Sequence, residues 1–260
     1  MKFVKKSLGQ NFLIDKNIIR KIINLTPIKN RNIIEIGPGK GALTEEILKE
    51  EPKSLNIIEK DFSLAKDLEQ KFLKNKNVKV INNDILRINL EKNMEKNSII
   101  FGNLPYNISS QILIKVLKFD KWLPNFSDIV FMFQKEVGDK ICGNFPSSNY
   151  GRLSIITNFR LKILKKFTVS PNCFFPKPKV NSLVIHFKPK KMLTNIHKLE
   201  NLEKITNILF SNKRKMINKN LKKILNLSEV KSIKSLKLNL RPSEIKPEIY
   251  YKITEIYENR

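Results

Sequence analysis

The chain reads as an α/β protein, a mainly parallel sheet with an antiparallel edge followed by a small all-helical C-terminal part. Three observations predict this. Short apolar runs rich in Ile and Val alternate with helically spaced apolar positions through Phe133, a glycine-rich turn follows the first strong strand, and strand signals fade after Lys188.

The elements follow in order. Residues 17–25 (NIIRKIINL) place apolar side chains at helical spacing. Arg31-Asn32-Ile33-Ile34-Glu35-Ile36 reads as a buried strand, broken by Gly37-Pro38-Gly39-Lys40-Gly41, and a helix with Thr44 and Glu45 near its start runs through Ile47 and Leu48. A second strand over 54–58, a helix over 62–74, a third strand over 78–81, a fourth over 98–101, a helix over 109–118 and a fifth strand over 128–133 continue the alternation. Such alternation implies right-handed crossovers and a sheet covered on both faces. Arg152 to Phe159 and Val180 to Phe187 predict a hairpin that completes the sheet with antiparallel character at one edge. Lys188-Pro189-Lys190-Lys191 reads as a linker, so the predicted domains are residues 1–187 and 188–260.

Composition narrows the partners. Fifty Lys and Arg stand against 24 Asp and Glu, a formal net charge of +26, and residues 188–260 alone hold 18 basic against 7 acidic side chains. Only eight of the basic residues are Arg, and Lys, Asn and Ile abound throughout, so part of the charge reflects an encoding bias. The remainder points to a polyanion, nucleic acid before a membrane surface. No run approaches the ~18 apolar residues that span a bilayer. The start, Met1-Lys2-Phe3-Val4-Lys5-Lys6, lacks an apolar signal core, which predicts a cytoplasmic protein. Cys142 and Cys173 lack metal-ligand spacing and read as inert thiols, with no metal expected. His186 lies in an apolar strand and reads as structural, His197 as a helix-surface residue and Trp122 as packing.

The glycine-rich turn lies at the carboxyl end of a parallel strand, where open α/β sheets bind ligands. There Gly37 and Gly39 let backbone approach a ligand closely. Glu59 lies 22 residues after Gly37, at the end of the second strand, where a carboxylate can accept both hydroxyls of a ribose. Asp84 ends the third strand on the same edge. Together they predict a nucleoside cofactor across the sheet, either a nicotinamide dinucleotide or S-adenosylmethionine.

Asn103-Leu104-Pro105-Tyr106, after the fourth strand, decides between the two. The exocyclic amine of adenine is a poor nucleophile because its lone pair is delocalised into the ring. The Asn103 side-chain oxygen and a backbone carbonyl, that of Leu104, can grip its two N–H bonds and favour the tetrahedral geometry that frees the pair. Pro105 holds φ near −65° and removes a competing donor, and Tyr106 offers a face on which a base stacks for roughly 1–3 kcal/mol. An amide suits this role, since the amine turns cationic as it accepts a methyl group and then loses a proton to water.

The chain resembles the small-subunit ribosomal RNA adenine N6,N6-dimethyltransferases over almost its whole length. The motifs that carry the resemblance are Ser7-Leu8-Gly9-Gln10-Asn11-Phe12-Leu13, Glu35-Ile36-Gly37-Pro38-Gly39, Gly102 to Ile108, Gln134-Lys135-Glu136, Tyr150-Gly151-Arg152-Leu153-Ser154, Phe174 to Ser182, Phe210 to Lys215 and Arg241-Pro242-Ser243-Glu244. The last two favour the small-subunit branch over the sister family that methylates large-subunit RNA. The resemblance implies a Rossmann-like S-adenosylmethionine-dependent methyltransferase fold, cofactor contacts at Asn11, Leu13, Gly37, Glu59, Asp84 and Asn103, and Tyr106 and Phe174 as rings sandwiching the target adenine. It also implies an RNA grip in the small helical domain, from Arg241 and a helix start at Lys213-Arg214-Lys215. The partner would be small-subunit ribosomal RNA or the immature small subunit, met by a monomer. Asn181 and Met216 depart from the family's usual Asp and its usual Thr or Leu. An RNA-binding assembly checkpoint with secondary catalysis, a large-subunit RNA dimethyltransferase and a DNA adenine methyltransferase are the alternatives.

Overall fold

A computed structural model describes residues 10–92, 94–192 and 194–260. Ser7, Leu8 and Gly9 of the first motif, and the reading of the N-terminal segment, lie outside the described residues. In chain order the elements are β1 (Phe12–Leu13), α1 (Lys16–Ile23), β2 (Asn32–Ile36), α2 (Ala42–Lys49), β3 (Ser54–Glu59), α3 (Phe62–Lys71), β4 (Val78–Asn82), β5 (Ser98–Asn103), α4 (Ser109–Leu117), β6 (Phe126–Gln134), α5 (Lys135–Ile141), α6 (Arg152–Arg160), β7 (Leu161–Val169), β8 (Phe174–Phe175), β9 (Ser182–Pro189), α7 (Leu199–Phe210), α8 (Asn218–Leu221), α9 (Leu227–Ser232) and α10 (Pro247–Glu258). Contacts divide the chain into two compact units, one of residues up to Gly138 with Lys162–Pro189, the other of Asp139–Leu161 with Lys190–Arg260.

The first unit is built on a seven-stranded sheet of order β4-β3-β2-β5-β6-β9-β7. The pairs β2–β3, β3–β4, β2–β5 and β5–β6 are parallel, and β9 runs antiparallel to β6. Ile33, Ile57, Ile99, Phe101 and Val130 of the central strands are buried with Leu43, Ile47 and Leu68 of the covering helices. Helix starts are set locally, since Asp15 and Asp61 each accept two backbone N–H groups at the heads of α1 and α3. The register places Ile36 beside both Ile58 and Gly102, and Glu59 beside Asn82. Gly37, Glu59, Asn83 and Asn103 therefore emerge along one edge. Because β3 lies on one side of β2 and β5 on the other, that edge includes a switch in strand order, where the loops part to leave a crevice.

Two expectations about the sheet's far side are corrected. Residues 152–159, read as a strand, form helix α6. Their β-branched run misled because the helix is buried on most sides, with Ile155, Ile156, Thr157, Phe159 and Arg160 all inside, which erases the helical period. Its start is fixed by Ser154, whose hydroxyl accepts from the Gly151 N–H at 3.0 Å. The strand beside β9 is instead β7, whose sequence LKILKKFTV was unread because three lysines interrupt it, a pattern that an edge strand tolerates. Lys188 and Pro189, expected in a linker, are the last residues of β9.

The second unit is helical. Leu202, Ile205 and Leu209 of α7 and Tyr250 and Ile253 of α10 are buried, and the Phe210 and Tyr250 rings stack with centroids 5.7 Å apart. Tyr150 donates its hydroxyl to the Ile245 carbonyl at 2.8 Å and Tyr250 donates to that of Pro242 at 2.6 Å, so buried phenols tie the segment after Arg241 in place. The Glu258 carboxylate accepts from the backbone of His197 at 2.7 Å and of Lys198 at 3.1 Å, capping α7 from the far end of α10. His197 thus lies in the loop entering α7, not on a helix surface. Trp122 packs edge-on against Phe126.

Candidate active site

The crevice at the carboxyl edge of the first unit is lined by Asn11, Leu13, Gly37, Gly39, Glu59, Asp84, Asn103, Leu104, Pro105 and Tyr106, brought together from the ends of four strands, β2 to β5, and the β1 segment. Gly37, Gly39 and Gly41 all have positive φ, which lets the turn double back under the crevice. Gly39 is also packed against Phe12, because a Cβ at that position would stand 2.6 Å from the Phe12 ring.

Glu59 is buried at the end of β3. Its carboxylate accepts from the Asp61 N–H at 2.8 Å and the Gly39 N–H at 3.3 Å, so the glycine turn and the β3 end are locked to each other. Burial pushes its pKa up, an effect opposed by those backbone donors. Asn82 donates its side-chain N–H to the Glu59 carbonyl at 2.9 Å, which holds the β4 end beside it. Asp84 accepts from the Leu86 N–H at 2.9 Å and pairs with Lys60 at 2.8 Å, and Lys60 holds its carboxyl below the usual carboxylate range. The two carboxylates retain lone pairs for hydroxyl and amine donors. These acceptors and the bare glycine turn fit the ribose and base of S-adenosylmethionine.

Asn103 closes β5 half-buried, and its amide nitrogen donates to the Asn11 carbonyl at 3.2 Å. Tyr106 shares a hydrogen bond of 2.6 Å with the Ser182 hydroxyl, and burial raises its phenol pKa against that bond. Phe174 lies elsewhere. It is 3% exposed, stands opposite Leu13 in the two-stranded ribbon β1–β8, and belongs to the apolar core with Ile22 and Val184.

Sequence reasoning passed over three groups in the crevice. Glu35, quoted only as part of a motif, is buried, accepts from the Thr44 hydroxyl at 2.6 Å, and has its pKa pushed up to about 7 by burial, with Glu59 adding to the rise. Lys60 and Phe12 are the others. A charged residue inside an apolar strand was the available signal for Glu35; nothing local marks the other two.

In the second unit, Arg214, Lys215 and Arg241 line a shallow basic hollow with Met216, Lys219 and Glu244. The Ile217 N–H donates to the Leu240 carbonyl at 2.9 Å, which joins segments far apart in sequence. Lys213-Arg214-Lys215 is not a helix start; it is the exposed turn after α7. Met216 is 50% exposed there, and Asn181 contributes its backbone carbonyl to the Lys135 N–H at 2.9 Å.

Among the described residues no helix is long and apolar enough to cross a membrane, and no group of three His, Cys, Asp or Glu side chains is placed to hold a metal ion. A mainly parallel sheet with an antiparallel strand toward one edge, opening its crevice at the order switch, is the architecture of the S-adenosylmethionine-dependent methyltransferases. Comparisons narrow that class. A family model described as ribosomal RNA adenine dimethylase matches residues 1–259. The chain is 44% identical over 262 residues to a ribosomal RNA small subunit methyltransferase A of Pelagibacter ubique, covering 98% of this chain and 97% of that protein. It is 40% identical over 252 residues to the protein of the same name from Mycoplasma mobile, covering 95% of each. A crystal structure of a dimethyladenosine transferase from Plasmodium falciparum superposes with a TM-score of 0.79 at 26% identity, covering 95% of this chain and 98% of that one. The chain belongs to the ribosomal RNA adenine dimethylase family and is accordingly an S-adenosylmethionine-dependent ribosomal RNA methyltransferase.

Proposed function

We propose that this enzyme dimethylates N6 of two adjacent adenosines in a loop near the 3′ end of small-subunit ribosomal RNA, as a step in maturation of that subunit. It works as a cytoplasmic monomer, with the sheet unit, residues up to Gly138 with Lys162–Pro189, holding cofactor and target base and the helical unit of Asp139–Leu161 with Lys190–Arg260 gripping RNA. The observation that carries the reading is the Asn103 amide. Its nitrogen is engaged by the Asn11 carbonyl, so its oxygen is left to accept from a base amine in the crevice.

The cofactor, when bound, supplies a methyl group already activated on a sulfonium. Gly37, Gly39, Glu59, Asp84, Asn11 and Leu13, which line the crevice, would hold it. The Asn103 oxygen and the Leu104 carbonyl accept the two amine N–H bonds, and Tyr106 contributes a ring to the base pocket, whereas Phe174, expected as the second ring, is buried in the core. As the N6–carbon bond forms and the sulfur–carbon bond breaks, the amine becomes cationic, stabilised by those two carbonyl dipoles, and then releases one proton to water. The side chains contribute positioning and electrostatic arrangement. A loop target suits a side-chain reader, because A-form major grooves are too narrow to read. Lys213, Arg214, Lys215 and Arg241 supply phosphate contacts, so binding should weaken steeply with salt.

The test is incubation with radiolabelled S-adenosylmethionine and undermethylated small subunits, followed by nucleoside analysis. Label in N6,N6-dimethyladenosine is the expected result. Label only with large subunits or with DNA duplexes would overturn the reading.

A further inference from the structure

The chain between β8 and β9 exposes groups that the proposed chemistry leaves unused. Phe175 is 53% exposed, although its neighbour Phe174 is buried. In the β1–β8 ribbon Phe175 stands opposite Phe12, and directly opposed residues of an antiparallel pair project to one face. Phe12 lines the crevice and packs on Gly39, so the Phe175 ring flanks the rim beside the glycine turn. Beyond it Lys177, Lys179 and Val180 are exposed while Pro178 is buried, so the lysines stand out at alternate positions. The segment then reaches Ser182, the hydrogen-bond partner of Tyr106. One stretch of chain therefore runs along the rim from the Phe12 side of the crevice to the Tyr106 side, carrying an exposed ring followed by two ammonium groups. Single-stranded nucleic acid is held by this combination, with a base stacked on the ring and phosphates at the cations.

We infer that Phe175, Lys177 and Lys179 form a platform for a nucleotide next to the one whose base enters the crevice, the base stacking on Phe175 and the flanking phosphates meeting the two lysines. The inference rests on the proposed reading of the substrate. It assigns a place to the second of two adjacent adenosines while the first reacts.

Phe175→Ala, Phe175→Trp and a Lys177→Gln/Lys179→Gln variant, each checked for unchanged cofactor affinity, are assayed on undermethylated small subunits for KM, for salt dependence of binding and for the ratio of dimethylation at the two positions. Phe175→Ala should raise KM about tenfold, the order expected for losing one base–ring stack, and shift the ratio between the two positions, with Phe175→Trp restoring both. The double lysine variant should lower the slope of log affinity against log salt by about 0.7 for each phosphate that is no longer neutralised. If the wild type makes dimethyladenosine and Phe175→Ala matches it in KM and ratio, the platform is refuted while the substrate reading stands. If the wild type makes none, the substrate reading fails and the platform with it.

Discussion

The Asn103 amide nitrogen donates to the Asn11 carbonyl at 3.2 Å, and this single bond decides which end of the amide faces the crevice. A backbone segment from before β1 thereby orients a side chain at the end of β5. Asn103→Ala should lower methyl transfer by about a hundredfold or more, the scale seen when one preorganised polar group is removed, and leave RNA affinity within a few fold. Single-turnover kinetics beside filter binding checks this, and equal losses of both would show that Asn103 serves binding only.

Glu35 and Glu59 place two carboxyls in one buried crevice, and the Glu35 pKa is pushed up to about 7 from an ordinary 4.5. A raised carboxyl binds its proton more tightly in the folded state, so its ionisation destabilises the fold as pH rises through about 7 and costs nothing below the ordinary value. Glu35→Gln keeps an acceptor for the Thr44 hydroxyl and removes the titration. It should stabilise the cofactor-free protein at pH 8 by on the order of 3 kcal/mol and have little effect at pH 4. Urea denaturation of both proteins at the two pH values measures it; an equal gain at both would refute the titration.

Gly39 has φ +61° and would drive a Cβ to 2.6 Å from the Phe12 ring. Gly39→Ala therefore combines backbone strain with a clash and should cost roughly 2–4 kcal/mol. In a Phe12→Ala background the clash is gone and only the strain of about 1–2 kcal/mol remains. A double-mutant cycle in denaturant reads the difference, and additivity of the two changes would mean that the ring yields freely.

Asp128 and His186 form a buried pair at 2.7 Å near the amino end of β6, on the opposite side of the sheet from the crevice. Burial disfavours the Asp128 charge, yet His186, Ser127 and Lys188 together hold its carboxyl below the usual range. Asp128→Ala should destabilise by roughly 3 kcal/mol at neutral pH, leaving a buried imidazole N–H without its acceptor. Because the carboxyl is lowered, that advantage of the wild type should shrink as pH falls below the ordinary carboxylate range. Cofactor affinity should stay unchanged, and a large loss of it would tie this pair to the crevice.

The strands from β2 to β6 were legible because each carries a short Ile-, Val- or Phe-rich run that stops at a polar residue or a glycine. Gly37, Glu59, Asp84 and Asn103 were legible because each follows or ends a recognisable strand, whereas Asn11 and Leu13 came only from the family resemblance and Glu35, Lys60 and Phe12 were passed over. Helix α6 was not legible, because burial on most sides removes the period that marks a helix. Strand β7 was hidden by its lysines, and Phe174 and Phe175 are told apart only by the β1–β8 pairing, which points one ring into the core and leaves the other on the rim.

The amino-acid order alone determined the parallel α/β scaffold, the position of the glycine turn and the row of polar strand ends, because these follow from local patterning and from the right-handedness of crossovers. Only the tertiary structure decided that residues 139–161 fold with the C-terminal helices, that Ile217 meets Leu240 to assemble the basic hollow, and that Asn11 turns the Asn103 amide. Each of these depends on contacts between segments distant in the chain, and no window of neighbouring residues carries their energy.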